Sequence, residues 1–242
     1  MDNWNNDYMN GYSTAVQAEN ELTLKRYTAS VMRRVYSKMT LGLLVTALVS
    51  WLVVSNENLM YALFSNSITM WVLLAIELGV VIYLSARIDK LSAGTATALF
   101  YAYSALNGIT LTPIFFAYTQ ESIALTFAIT AGTFGAMSVF GYVTRQDLSK
   151  IGSFLFMALI GLILCTLVNL FLRSSMLSLI TSCAGVLIFV GLTAWDTQAI
   201  KRMCAEADPS MVGKISTMGA LTLYLDFINL FLYLLRFFGS RD

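Results

Sequence analysis

Long apolar stretches separated by short polar segments make up most of this chain. None of the apolar stretches alternates apolar and polar residues with the period of two that is typical of a membrane barrel strand. A spanning segment that is not part of a barrel must be helical, and a helix needs roughly 17–25 residues to cross a bilayer. We therefore predict an all-α integral membrane protein, with a single seven-helix transmembrane domain over residues 39–239. Its spans are predicted at residues 39–55, 70–86, 92–111, 123–143, 151–172, 176–200 and 218–238.

The segment before the first span is polar and then basic. Residues 1–21 lack the basic start, apolar run and cleavage site of a secretory signal, and we expect a mobile polar tail there. In residues 22–38, Tyr27, Val31 and Val35 recur at helical spacing among lysines and arginines. Two interpretations fit this pattern: an amphipathic helix lying on an anionic membrane surface, or a solvated basic lead-in to the first span.

The distribution of basic residues predicts the orientation of the bundle. With the N-terminus inside, only Arg173, Arg236 and Arg241 of the fifteen lysines and arginines fall on outer segments. Because basic residues concentrate in cytoplasmic segments, we predict a cytoplasmic N-terminus, an odd number of spans and an external C-terminus.

Small residues indicate where the helices approach one another. Those that we expect at helix contacts are Ala131, Gly132, Gly135 and Ala136 in the fourth span, Gly161 in the fifth and Gly185 in the sixth. Asn107 and Gly108 lie near the end of the third span and are followed by Pro113. We expect them to end or kink that helix rather than to bind anything.

Composition supports a membrane protein and excludes several functions. Hydrophobic residues make up 57% of the chain and charged residues 12%, with a mean hydropathy of +0.70, whereas soluble domains carry roughly 25% charged residues.

The chain has no histidine, which excludes metalloprotease HExxH helices, histidine-ligated zinc or haem, and Ser-His-Asp triads. The three cysteines lack CxxC spacing and are interpreted as packing residues. A net charge of +1 gives no indication of nucleic-acid binding.

Four ionisable residues lie inside the apolar stretches: Glu77, Asp196, Asp226 and Arg236. A charge at bilayer depth costs at least about 2.5 kcal/mol, so such residues mark pathways, proton relays or sensors. Arg236 lies close to the outer end of its span, where its side chain can extend to the surface, and we expect a structural role for it.

Asp196 and Asp226 are expected to meet. Asp196 lies about 7 Å in from the inner surface. Asp208 and Pro209 are predicted to be the N-cap and first residue of the last helix, which places Asp226 about 12 Å deep. Two carboxyl groups in contact in a low-dielectric site cannot both ionise easily and tend to share a proton. The pair is therefore a candidate pH sensor, and Arg87, at the inner end of the second span, is a candidate latch for its charged form; a satisfied buried pair without a gating role is the alternative.

Four segments resemble one known family. The segments GLTAWDTQAIKRM (Gly191 to Met203) and GALTLYLDFINLFLYLLRFFG (Gly219 to Gly239) resemble the hallmark segments of the Bax inhibitor-1 family, also called the transmembrane Bax-inhibitor-motif (TMBIM) family. LSARIDKLSAGTATALFYAYSALNGITLTPIF (Leu84 to Phe115) and FGAMSVFGYVTRQDLS (Phe134 to Ser149) resemble its bacterial branch of inner-membrane proteins. The resemblance extends from about residue 25 to the C-terminus.

The resemblance implies a multi-pass inner-membrane protein whose last helix is central and which acts as a pH-sensitive calcium leak. The family's paired aspartates match Asp196 and Asp226, and its latch arginine matches Arg87, although the family's bacterial leak has a run of basic residues where this chain has only Arg87 and Lys90. Glu77 resembles a second-span glutamate, which implies an ion-pathway role; a hydrogen-bonded core residue is the alternative. A stable calcium site needs six to eight oxygens, so we expect only a weak, transient site, with calcium as the transported ion and no cofactor.

Two other functions compete with an ion leak. Intramembrane aspartyl proteases also place one aspartate in each of two consecutive helices. Their second aspartate follows a Gly-x-Gly motif, whereas Tyr224 and Leu225 precede Asp226 here. These proteases also need a Pro-Ala-Leu element, and neither Pro113 nor Pro209 is followed by Ala-Leu. We therefore expect no enzymatic activity. The second competing function, which the resemblance to bacterial relatives also implies, is regulation of an FtsH-type membrane protease. That protease would bind this chain through residues 1–21.

Overall fold

The computed structural model describes residues 2–240, and the side chains of residues 17–208 and 210–240. Within residues 2–240 the chain forms nine α-helices and one short 3-10 helix, without a strand. The α-helices are α1 (Asp2–Val54), α2 (Glu57–Phe64), α3 (Ser67–Arg87), α4 (Ala93–Leu111), α5 (Ile114–Ala117), α6 (Gln120–Val143), α7 (Ser149–Leu172), α8 (Ser175–Glu206) and α9 (Val212–Phe238). Seven segments of the described chain are long and apolar enough to cross a membrane. They lie in α1, α3, α4 with α5, and α6 to α9, which confirms the seven predicted spans.

Polar side chains set where several of the helices begin. At five helices an N-cap side chain accepts a backbone N–H of the first turn; these caps are Asn56, Asn66, Ser92, Thr119 and Ser174.

The last helical segment begins at Pro209 with Asp208 as its cap, as predicted, but its first turn is a 3-10 helix. The Asp208 carboxylate accepts the backbone N–H of Ser210 at 2.7 Å, and Pro209–Met211 form a separate 3-10 helix before α9 begins at Val212. The Asp208 carboxylate therefore caps the 3-10 turn, which runs directly into α9.

The first helix is longer than predicted. It begins at Asp2, inside the segment expected to be a mobile tail, and it contains residues 22–38 without a break. Once a helix has been nucleated, each further residue costs little to add, and residues 1–21 contain no proline.

The basic segment is also part of the bundle rather than a helix lying on the membrane surface. Val31 and Val35 are fully buried, and the Lys38 ammonium donates to the Thr217 hydroxyl at 2.6 Å and to the Thr97 hydroxyl at 3.0 Å. The segment therefore joins α1 to α4 and α9, as a direct extension of the first span.

The last helix is the centre of the bundle. In an apolar stretch of 18 residues in α9, 67% of the residues are buried, whereas the share in a stretch of the same length is 6–39% in the other six spans. It packs against α1, α4, α6 and α8, whereas α3 packs mainly on α4 and α7 mainly on α8. Tyr224, Leu223 and Leu230 of α9 are fully buried in the core. Residues of α9 can therefore contact four other helices, while α3 and α7 are peripheral.

Most of the glycines that we expected at helix contacts do not lie at one, whereas several other glycines do. A Cβ atom at Gly132, Gly135 or Gly161 would meet nothing within 4 Å, so these three predictions are wrong. At Gly108 it would lie 2.6 Å from the Thr46 carbonyl oxygen of α1. The other glycines where an added Cβ would collide with a neighbouring span are Gly42, Gly141, Gly152, Gly185, Gly191 and Gly213. Of the predicted glycines, only Gly185 lies at such a contact.

Candidate functional site

The two intramembrane aspartates meet between α8 and α9. The carboxyl groups of Asp196 and Asp226 lie within hydrogen-bonding contact of each other. Asp226 is only 4% exposed and Asp196 is half-buried. The Oδ2 atom of Asp226 is buried and receives no N–H or hydroxyl hydrogen bond from the described residues. A proton held between the two carboxyl groups would supply that missing donor.

A cavity of about 430 Å³ opens onto this pair. It lies between α7, α8 and α9, and its walls are mostly apolar and aromatic, including Trp195 beside Asp196. Thr222, Asp226, Asn229 and Tyr233 all line it from α9. Because residues three and four apart share a helix face, these four form one polar stripe along the cavity. The sequence analysis missed Thr222 and Asn229, although their spacing from Asp226 could have identified them.

Glu77 lies in a different polar cluster. It is 8% exposed on α3, where the Asn107 amide donates to Oε1 and the Thr110 hydroxyl donates to Oε2 at 2.9 Å. The Tyr224 hydroxyl of α9 donates to the Asn107 side-chain oxygen at 3.0 Å and lies 2.7 Å from the Thr46 hydroxyl of α1. We call Glu77, Asn107, Tyr224, Thr46 and Thr110 the Glu77 cluster; it connects α1, α3, α4 and α9.

Asn107 has a role that the sequence analysis did not assign. Helix α4 continues past it to Leu111, and its side chain bridges Glu77 and Tyr224. The expectation that Asn107 and Gly108 only end or kink the helix is wrong. An isolated asparagine in an apolar stretch does not indicate its partners, which here come from two other helices.

The Glu77 cluster and the aspartate pair use opposite sides of α9. Tyr224 and Asp226 are two residues apart, which separates their side chains by about 200° around the helix. Glu77 does not line the cavity of the pair. Among the described residues, no three cysteine, aspartate or glutamate side chains lie close enough together to hold a metal ion. The structure therefore offers two separate polar sites rather than one strong cation site.

The two arginines differ in their surroundings. Arg87 is exposed at the end of α3 and makes no ion pair or hydrogen bond with either aspartate in the described part of the chain. The latch role of Arg87 thus stays a prediction. Arg236 donates from Nε to the Ser178 hydroxyl at 2.9 Å and so joins α9 to α8, the kind of structural role that we expected.

None of the three cysteines lines the cavity of the aspartate pair or takes part in the Glu77 cluster. All three are free thiols; Cys204 is buried in the core, whereas Cys165 and Cys183 are exposed on their spans. Only Cys204 is therefore a packing residue within the protein.

Comparison with known proteins finds the same relationship along nearly the whole chain. The sequence model of the family described as "Inhibitor of apoptosis-promoting Bax1" matches residues 28–242. The chain is 54% identical to the inner membrane protein YbhL of Escherichia coli strain K12, over 87% of this chain and 91% of that protein. It is 46% identical to a protein of Borreliella burgdorferi, over 93% and 97% of the two chains. It is also 38% identical to a membrane protein of Streptococcus pyogenes serotype M1, over 86% and 92%.

Proposed function

Since the chain belongs to the Bax inhibitor family and is a multi-pass inner-membrane protein, we propose that it is a pH-sensitive calcium leak, gated by protonation of the Asp196–Asp226 pair. One observation carries this proposal: two carboxyl groups in contact at bilayer depth border a cavity between the central helix and its neighbours. Such a pair changes its charge when it gains or loses a single proton.

The oxygen atoms around the cavity suit passage of a cation rather than storage. Asp196, Asp226, Thr222 and Asn229 carry six side-chain oxygens between them, so even if every one faced the ion they would only reach the lower end of the six to eight of a stable calcium site. Conduction requires that an ion be released as readily as it is bound. A weak, transient site at the pair meets that requirement.

Arg87 provides the proposed link between charge and gating. When the pair is deprotonated, the guanidinium pairs with a carboxylate and holds the leak closed; protonation removes the charge and releases it. In the structure α3 packs mainly on α4 and leaves Arg87 exposed. The latch therefore requires a second conformation, in which the inner end of α3 moves toward α8 and α9.

The test is calcium flux into liposomes that contain the purified protein, measured at mildly acidic and mildly alkaline pH. We expect flux to rise as the pH falls, and Asp196→Asn and Asp226→Asn each to bring the acid-to-alkaline flux ratio close to one. Glu206→Gln is the matched control because Glu206 is an exposed carboxylate on the same helix as Asp196. Arg87→Gln should raise flux at alkaline pH, whereas Lys90→Gln, at the same exposed end, should not.

Two results would count against the proposal. Unchanged pH dependence in both asparagine variants would remove the aspartate pair as the sensor. Flux of sodium, potassium or protons without flux of calcium, in the same liposomes, would keep the gate and reject calcium as the cargo.

A further inference from the structure

A second cavity, of about 530 Å³, lies between α1 and α6. We call it the α1–α6 groove; its lining is mostly apolar and includes Arg33 and Tyr36 of α1 and Gly135, Ser138 and Tyr142 of α6. Its volume falls within the roughly 300–1,000 Å³ that is typical of ligand pockets. Gly135 contributes to this space because no atom lies within 4 Å of the position of its missing Cβ.

The groove contains a buried hydroxyl without a partner. Ser138 is 4% exposed, and its Oγ atom makes no hydrogen bond to the described residues. Thr130, on the same helix, instead donates to the Thr126 carbonyl oxygen of the preceding turn. A polar group without a partner in a low-dielectric region is costly, so a side-chain rotation that brings the enclosed Ser138 hydroxyl into the groove would let an occupant supply its missing acceptor.

The charge around the groove is positive. The Arg33 side chain is exposed and makes no ion pair or hydrogen bond in the described part of the chain. Tyr142 lies beneath the Lys201 ammonium, which is 5.2 Å from the centre of its ring. The residues identified along the groove include no aspartate or glutamate. The occupant is therefore expected to combine an apolar body with an anionic head and an uncharged acceptor oxygen.

We propose that the α1–α6 groove binds one anionic phospholipid from the leaflet that faces the basic N-terminal segment. An acyl chain fills the space beside Gly135, an ester carbonyl accepts the Ser138 hydroxyl, and the phosphate binds the Arg33 guanidinium. Basic pockets between spanning helices are known to bind anionic lipid headgroups. This proposal does not depend on the calcium leak, because the groove shares no lining residue with the cavity of the aspartate pair.

The first test fills the groove. The full chain is incorporated into vesicles of mixed phosphatidylglycerol and phosphatidylethanolamine, extracted in detergent, and analysed for retained lipid by native mass spectrometry. We expect one phosphatidylglycerol per chain, and a loss of about tenfold in Gly135→Leu, which is what displacing two buried methylenes would cause. Gly132→Leu is the matched control, since its Cβ also meets open space on α6 but lies outside the groove.

The second test removes the charge. Arg33→Gln should lower the preference for phosphatidylglycerol over phosphatidylethanolamine about fivefold, while the neighbouring Arg34→Gln, exposed and outside the groove, should not. Equal retention of the two lipids by the wild type would overturn the proposal. Equal phosphatidylglycerol retention in Gly135→Leu and in the wild type would also overturn it. The same holds if the wild type is a dimer and Gly135→Leu is a monomer, because a second copy of the chain would then occupy the groove. If Gly135→Leu does not fold, the comparison of Arg33→Gln with Arg34→Gln decides the question.

Discussion

Replacing Gly141 by alanine should destabilise the bundle and disturb the aspartate pair. A Cβ there would lie 2.8 Å from the Ala194 carbonyl carbon of α8 and closer still to its oxygen. Ordinary contact begins at 3.4 Å, so α6 and α8 must separate by more than 0.6 Å. Both colliding atoms belong to backbone, which cannot rotate away as a flexible side chain can. Overpacking of this kind costs about 1–3 kcal/mol.

The assay is equilibrium unfolding in detergent micelles, with Gly132→Ala as the control because its Cβ meets open space on the same helix. Alanine is favoured over glycine in a helix by up to about 1 kcal/mol, so we expect the control to be as stable as the wild type or more stable. Ala194 is two residues from Asp196, and Gly141→Ala should therefore also alter the pH dependence of calcium flux. Equal unfolding free energies for Gly141→Ala and Gly132→Ala would refute the inferred α6–α8 contact.

Two further predictions concern polar groups. Tyr224→Phe removes the hydroxyl that lies between Asn107 and Thr46, and it should lower the unfolding free energy by about 1 kcal/mol. The control is Tyr233→Phe: the Tyr233 hydroxyl makes no hydrogen bond among the described residues, so its removal should leave the unfolding free energy unchanged. The backbone N–H and then the hydroxyl of Ser149, and after them the Arg202 guanidinium, hold the pKa of the exposed Asp147 carboxyl below its ordinary value of 3.8. A carboxylate with a lowered folded-state pKa stabilises above its unfolded pKa, and this contribution disappears as the pH falls through the folded pKa. Asp147→Asn should therefore lower the melting temperature slightly at neutral pH, and the difference from wild type should shrink below pH 3.8; an unchanged difference would contradict the assignment.

The approach of the two aspartates follows from counting residues. A helix rises a fixed distance per residue, so positions measured from a polar boundary give depth in the bilayer. Consecutive spans joined by a short loop are neighbours, and Asp196 and Asp226 are in contact as this counting predicts. The Glu77 cluster could not be derived in this way. Asn107, Thr46 and Tyr224 come from three helices, and no spacing along the chain relates them.

The sequence by itself determined that the chain crosses the membrane seven times as helices, because bilayer thickness and the need to satisfy backbone hydrogen bonds leave no other solution. Only the tertiary structure decided which side of each helix is inside. Lipid is as apolar as a protein core, so a helix that is apolar all round does not reveal its buried face. Gly132 and Gly141 are both glycines in the same span, yet one faces open space and the other the backbone of α8. The way each helix is rotated determines where the α1–α6 groove and the close contacts lie, and which helices supply partners to the Glu77 cluster.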